Sequence, residues 1–323
     1  MYNVFKVGVL MKRKLKKKPI IILCVCILVI ILIIFGISTY KKVTSFEYRL
    51  GKIGYKDSEI KTILKMDTKY INYALENDYE DDFIPLVSQK YFLWKNYKDY
   101  ISYIDKNYND QKVDYEKVVS LVNTHASSKA YTNTSETDMN KGLAILVNKY
   151  YSLPSKYAPD DIVKMSNLYA YPNNSIRSEV YEAFKEMSKA AKEENITLIV
   201  NSSYRSYDEQ KEIYDEYESS RGKDYADKYA ARPDFSEHQT GLALDIFTPG
   251  ANMKTFEETT AFSWLRDNAY KYGFILRYPK DKSDITGYSY ESWHYRYLGK
   301  DLAKKVYDSK LTYDEYYAYY LDK

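Results

Sequence analysis

Eighteen consecutive uncharged residues, IIILCVCILVIILIIFGI at positions 20–37, constrain this 323-residue chain more than any other stretch. At about 1.5 Å per residue the run nearly crosses a hydrocarbon layer of about 30 Å, so it reads as a membrane helix. Seven basic residues and no acid precede it (Lys6, Lys12, Arg13, Lys14, Lys16, Lys17, Lys18), and only Lys41 and Lys42 follow it closely. The positive-inside bias then predicts a cytoplasmic tail at residues 1–19, a single-pass anchor at 20–40 and everything else outside the cell. A cleaved signal peptide is the competing reading. The run is longer than a usual signal core and GISTYKK offers no small-x-small cleavage site, which favours an uncleaved anchor.

Both cysteines, Cys24 and Cys26, fall inside that run, so the part beyond it needs neither disulfides nor a reducing compartment. Its charge also differs from that of the whole chain. The net +3 rests on the seven leading cations; without them 41 basic residues face 45 acidic ones, a net of −4, which excludes an electrostatic nucleic-acid binder. No protein partner can be named from the sequence.

Residues 43–140 are polar and Tyr-rich with apolar residues at helical intervals, as in YKDSEIKTILK, where Asp57 or Ser58 is placed to cap a helix carrying Ile60, Ile63 and Leu64 on one face. The polar stretch 125–140 is the expected boundary or long loop. The 39 tyrosines invite a sugar-stacking reading, but a half-buried ring with a wet hydroxyl is the plainer use of Tyr in a chain with only 11 glycines. Beyond residue 140 the pattern sharpens. Val180, Phe184, Met187 and Ala191 line one side of an amphipathic helix, ITLIV at 196–200 reads as a strand, and YDEQKEIYDEYESS as a second helix. GLALDIF, FILRYP and WHYRYL follow as strands, with a helix ending at Gly273 between the first two. The expected class is α+β: a small mixed, mainly antiparallel sheet flanked by helices, preceded by a helical region and the anchor. The divisions expected are 43–140 for the helical region, 141–310 for a catalytic domain and 311–323 for a last helix.

Asp245 is the anomaly in that domain, a carboxylate inside the apolar strand LALDIF. Burying it alone would be very costly, so it must be paired or bound to a cation, with Arg205, Arg277 and a metal as the candidates. Two histidines stand close enough in pattern to matter: His238 in SEHQTGLALD and His294 in ESWH. Two imidazoles and a carboxylate form a common three-ligand zinc set with a fourth position open for water. His125, in the polar stretch, is no candidate ligand. Glu291 precedes His294 by three residues; a helix would put both on one face, a regular strand on opposite faces, and a turn or bulge at Glu291 would reconcile a strand with joint action. In that arrangement Glu291 serves as general base toward an attacking water. Arg205, in SSYRSYDEQ, is suited either to stabilise a developing oxyanion or to grip a substrate carboxylate.

SEHQTGLALD followed by ESWH resembles the paired motifs S-x-H-x-x-G-x-A-x-D and E-x-W-H of the VanY-type D-alanyl-D-alanine carboxypeptidases, zinc peptidases of bacterial cell-wall metabolism. LVNKYYSLPSKYAPDDIV and SSYRSYDEQ are similar to that family's segments leading to the site, and the likeness covers about residues 145–307. The resemblance implies one zinc ion held by His238, Asp245 and His294, with Glu291 as catalytic base and Arg205 as the cation at the scissile carbonyl. It implies substrate contacts for Ser236 and Gln210, and a fold like that of the hedgehog signalling domain and its peptidase relatives. The implied reaction is removal of the terminal D-alanine from peptidoglycan stem peptides or precursors outside the membrane. An L,D-carboxypeptidase or an endopeptidase of the same family shares these motifs. A non-catalytic wall-binding protein is the alternative of another class.

Overall fold

The computed structural model describes residues 17–109 and 111–322. Lys6, Lys12, Arg13, Lys14 and Lys16 of the expected cytoplasmic tail lie outside the described residues. The apolar run forms a single helix, α1 (Lys17–Thr44). Among the described residues, its Ile22–Thr44 portion is the one segment long and apolar enough to cross a membrane.

The chain divides into two compact units between Ser88 and Gln89. In the first, α2 (Phe46–Ile53), α3 (Asp57–Ile63), α4 (Thr68–Glu76) and α5 (Phe83–Val87) bury Leu50, Ile60, Ile63, Ala74, Phe83 and Leu86. The cap of α3 lies one residue before Asp57, the earlier of the two positions expected to hold it. Lys56 holds the cap position and its N–H donates to the Glu59 carboxylate at 2.7 Å, which leaves Asp57 in the first turn, where the helix dipole favours an acid.

The second unit begins upstream of the expected boundary at 140. Helices α6 (Tyr97–Asn107) and α7 (Tyr115–Asn123) belong to it, and α7 buries all six residues from Val118 to Asn123. A helix enclosed on every side is a core element, and Ser120 ties it to the last helices by donating to Glu315 at 2.7 Å. Two short pairs follow: β1 (Ser135–Glu136) runs parallel to β2 (Tyr151–Ser152), and β3 (Ile162–Lys164) is antiparallel to β4 (Ser175–Arg177). Helix α8 (Ser178–Glu193) buries Val180, Ala183, Phe184, Met187 and Ala191, the face expected from their spacing.

The main sheet is antiparallel throughout, in the order β5 (Ile199–Ser202), β6 (Ala243–Phe247), β8 (Glu291–Tyr297), β7 (Phe274–Tyr278). The first of these strands lies three residues later than 196–200 at its start, because Asn195 ends α8 in a left-handed turn and Ile196 still closes onto Ala191. Every residue of the central strand β6 is buried. Leu244 and Ile246 enter the main core with α8, while Asp245, one step out of phase, faces the other side. Between β5 and β6 lie α9 (Tyr207–Arg221) and α10 (Lys223–Tyr229), the first opened by a capping box between Ser206 and Glu209. Helix α11 (Thr260–Asn268) leads to β7, and α12 (Ser283–Thr286) to β8. The last helices are α13 (Lys300–Ser309) and α14 (Tyr313–Tyr316), parted by Lys310 in a left-handed conformation; a wider π turn over Tyr317–Leu321 follows α14. All four residues of α14 are buried.

Candidate active site

Strand register brings the first two site residues together. Asp245 on β6 pairs directly with His294 on β8, and on the other side Asp245 pairs with Ser202 of β5. His238 arrives from the turn Glu237–Thr240, which reverses at Gly241 into β6. Gly241 has φ of +65°, and a Cβ there would lie 2.7 Å from Arg177 Cγ and 3.0 Å from Ile162 Cδ1, so any side chain here is strained and forces these neighbours to shift. The outcome is a cluster in which one donor atom from each of His238, Asp245 and His294 lies within 4.8 Å of the others.

Glu291 joins the cluster through a bulge. Leu276 pairs with Tyr295 and Tyr278 with Glu291, so two steps along β7 match four along β8. The extra residues break the alternation that would have sent Glu291 and His294 to opposite faces. Glu291 Oε2 comes to 3.6 Å from His294 Nδ1.

The two imidazoles present different nitrogens. His238 directs Nε2 toward Asp245 Oδ1 at 3.6 Å, with Nδ1 2.7 Å from the Ser203 carbonyl oxygen. His294 directs Nδ1 toward the same oxygen at 3.2 Å, and its Nε2 lies 3.4 Å from Glu237 Oε2. Asp245 Oδ1 is nonetheless buried without a hydrogen-bond partner. An orphaned carboxylate oxygen between two imidazole nitrogens is what a metal site requires, so these residues fit a bound dication.

Electrostatics agree with that donor set. Burial holds the His238 imidazole below its ordinary value, against the pull of Asp245, which leaves it neutral as a ligand must be. Burial alone would raise the Asp245 carboxyl, but the two histidines outweigh it and hold the group well below the usual range. His294 goes the other way: burial opposes its charge, yet the carboxylates of Asp245 and Glu237 push it up to about 9. A dication bound there would have to displace a proton from His294. Burial pushes Glu291 up to about 7, a rise that His294 and Arg205 partly offset. A carboxylate poised near neutrality is suited to take up and return a proton.

Arg205 follows β5 and donates to Gln210 Oε1 at 2.8 Å and to Ser202 Oγ at 3.0 Å. The Gln210 amide nitrogen donates to the Ala231 carbonyl at 2.7 Å, so both ends of that side chain are committed to the protein. Ser236 is buried at the cleft wall. The cleft itself encloses about 670 Å³, and Tyr278, Tyr288 and Trp293 line it beside Arg205, Glu291 and His294. That size suits a small peptide. His125 stays outside the cluster, 3.3 Å from the Tyr151 hydroxyl.

Two features were not foreseen from sequence. Arg277, a candidate partner for Asp245, is instead bound to Glu237 at 2.8 Å and to Asp314. Glu237 is the missed residue: a fully buried carboxylate between Ser236 and His238 whose Oε1 accepts from two arginines. Arginines 277 and 296 inside otherwise apolar strands were the available signal, because buried guanidinia demand carboxylates.

Residues 173–300 match the family model described as VanY, D-alanyl-D-alanine carboxypeptidase, and that segment holds every residue of the cluster. YodJ of Bacillus subtilis (strain 168), provisionally named a carboxypeptidase, is 45% identical over 184 residues, 55% of this chain and 67% of that protein. A D-alanyl-D-alanine carboxypeptidase of Enterococcus faecalis (strain ATCC 700802 / V583) is 36% identical over 203 residues, 60% of this chain and 70% of that protein. The chain belongs to the VanY family of carboxypeptidases. The solved structure of the LdcB LD-carboxypeptidase is similar at 43% identity and a TM-score of 0.55, covering 59% of this chain and 92% of LdcB. The VanY-type fold, an α+β unit with small, chiefly antiparallel sheets, is thus shared with a solved relative. Relatives of this VanY member are named for both D,D- and L,D-cleavage.

Proposed function

We propose that this VanY-family chain is a membrane-anchored zinc D-alanyl-D-alanine carboxypeptidase that removes the terminal D-alanine of peptidoglycan stem peptides outside the membrane. The observation that carries the reading is Asp245 Oδ1, buried and unpartnered between the site-facing nitrogens of His238 and His294, with Glu291 3.6 Å from His294 Nδ1. A zinc ion held by His238, Asp245 and His294 supplies Lewis acidity toward a carbonyl oxygen and acidifies water. Glu291 accepts the proton of the attacking water and returns it to the leaving amine as the carbon–nitrogen bond breaks. Arg205, steadied by Gln210 and Ser202, donates to the oxygen on which negative charge develops. Gln210 acts through Arg205, and Ser236 is left at the wall to contact substrate. The N-terminal apolar helix supports anchoring, and the seven basic residues ahead of it support an outside location for the peptidase unit.

An L,D-carboxypeptidase that trims tetrapeptide stems is the second reading, favoured by the likeness to LdcB. Full-length protein incubated with defined penta- and tetrapeptide stems separates them by product mass. Pentapeptide shortened by one D-alanine, with loss of turnover on chelation and in Glu291→Gln, is the expected result. Cleavage of the tetrapeptide alone moves the assignment to L,D-specificity. Turnover that survives both treatments refutes the zinc mechanism, and binding of stems without turnover by the zinc-loaded protein marks a non-catalytic wall-binding protein.

A further inference from the structure

Glu237 stands next to a ligand in sequence, yet it reaches the other histidine. Its Oε2 lies 3.4 Å from His294 Nε2, the nitrogen turned away from Asp245 and Glu291. Its Oε1 accepts from Arg277 Nε at 2.8 Å and from a terminal nitrogen of Arg296 at 2.9 Å. All three side chains are fully buried. The two arginines are fixed in turn from outside the cleft. Arg296 donates to the main-chain oxygens of Leu143, Ile145 and Tyr297 at 2.8–3.1 Å. Arg277 is clamped through both terminal nitrogens by Asp314 of α14, whose Oδ1 also accepts from Asn148 at 2.8 Å.

A buried ion cluster of this kind needs no role beyond tying α14 to the sheet. The placement of Oε2 adds one. An imidazole with a carboxylate at one nitrogen keeps its proton there and offers the lone pair of the other nitrogen to a metal; such partners fix both tautomer and ring orientation. His238 is set in the opposite sense by the Ser203 carbonyl at Nδ1. We infer that Glu237 is a positioning residue that holds His294 with Nδ1 facing the metal, and that Arg277, Arg296 and Asp314 hold Glu237 in place. The last helix, α14, is thereby tied to the metal site through two ion pairs, Asp314–Arg277 and Arg277–Glu237, and the hydrogen bond from His294 to Glu237. This inference rests on the reading of His238, Asp245 and His294 as a zinc site.

The test is zinc affinity of the full-length protein in detergent, measured by competition with a chromophoric chelator, for wild type and Glu237→Gln. The glutamine keeps the shape of the side chain but loses the charge that holds the proton on Nε2. A fall in affinity of about 10–100-fold is expected, with kcat reduced and KM for a stem peptide little changed. Equal affinity in a folded Glu237→Gln protein overturns the inference. The wild type provides a second measurement that does not depend on that variant folding. The chain has three histidines, so 15N-histidine spectra of the zinc-loaded protein are simple to assign, with His125→Gln removing the remote one. Zinc on Nδ1 and a proton on Nε2 of His294, beside the reverse arrangement at His238, is the expected pattern; zinc on Nε2 of His294 overturns the inference. Failure of wild type to bind zinc at these three residues refutes the zinc-site reading itself, a separate outcome.

Discussion

Glu291 is set apart from the other carboxylates of the site by its surroundings. Burial raises it to about 7, whereas the histidines hold Asp245 down, so two acids of one cluster take opposite protonation behaviour. The sign of the pH dependence follows. Below its midpoint Glu291 is protonated and no base is present; above it the carboxylate is free. A bound dication favours the ionised form, as the imidazolium of His294 already does, so kcat/KM is expected to fall toward acid with a midpoint at or below pH 7. A pH series at saturating zinc measures it, and activity that rises toward pH 5 contradicts the role given to Glu291. Arg205 offers a second check at this scale. Arg205→Lys keeps a charge but loses the fork that binds Gln210 and Ser202 together, and about a 100-fold loss in kcat at unchanged zinc content is expected. Steady-state kinetics beside metal analysis reads both quantities.

Among the elements, the turn into β6 and the bulge in β8 position the site. Gly241 allows the chain to reverse so tightly that His238 returns over Asp245. Its left-handed conformation alone costs an L-residue about 1–2 kcal/mol, and the approach of Arg177 and Ile162 adds to that. Gly241→Ala is therefore expected to lower Tm by roughly 2–4 °C or more for a unit of this size, and to weaken zinc binding, because a displaced turn moves His238. Calorimetry with chelator-treated and zinc-loaded protein separates the two effects. The bulge answers the conflict between strand periodicity and joint action of Glu291 with His294. Odd spacing in a regular strand would have separated them; two steps of β7 against four of β8 do not. The central position of β6, paired on both edges, explains why a carboxylate there is buried and why it needs a cation.

For the whole molecule, the apolar helix and the peptidase unit make one testable arrangement. Protease added to intact cells is expected to digest the peptidase unit and leave a membrane-held fragment, whereas protection of that unit until the cells are opened reverses the orientation. The apolar helix α1, the buried face of α8 and the seven residues that line one cleft were all legible in the sequence, because apolar runs, periodicity and motif spacing are local properties. Asp245 was legible for the same reason, as a charge out of place in an apolar strand. The assignment of residues 89–140 to the peptidase unit was not, since enclosure of α7 and the Ser120–Glu315 bond depend on partners almost 200 positions apart. Nor was Glu237, whose role as the counter-ion of Arg277 and Arg296 arises only when two strands and a turn meet. From the sequence alone came the candidate residues that meet at the cleft and the apolar run that forms α1. Which nitrogen of each histidine faces the cleft, which carboxylate stands behind His294 and which carboxylate oxygen stays unpartnered emerge only in three dimensions, because they are set by strand register, a bulge and burial rather than by neighbours in the chain.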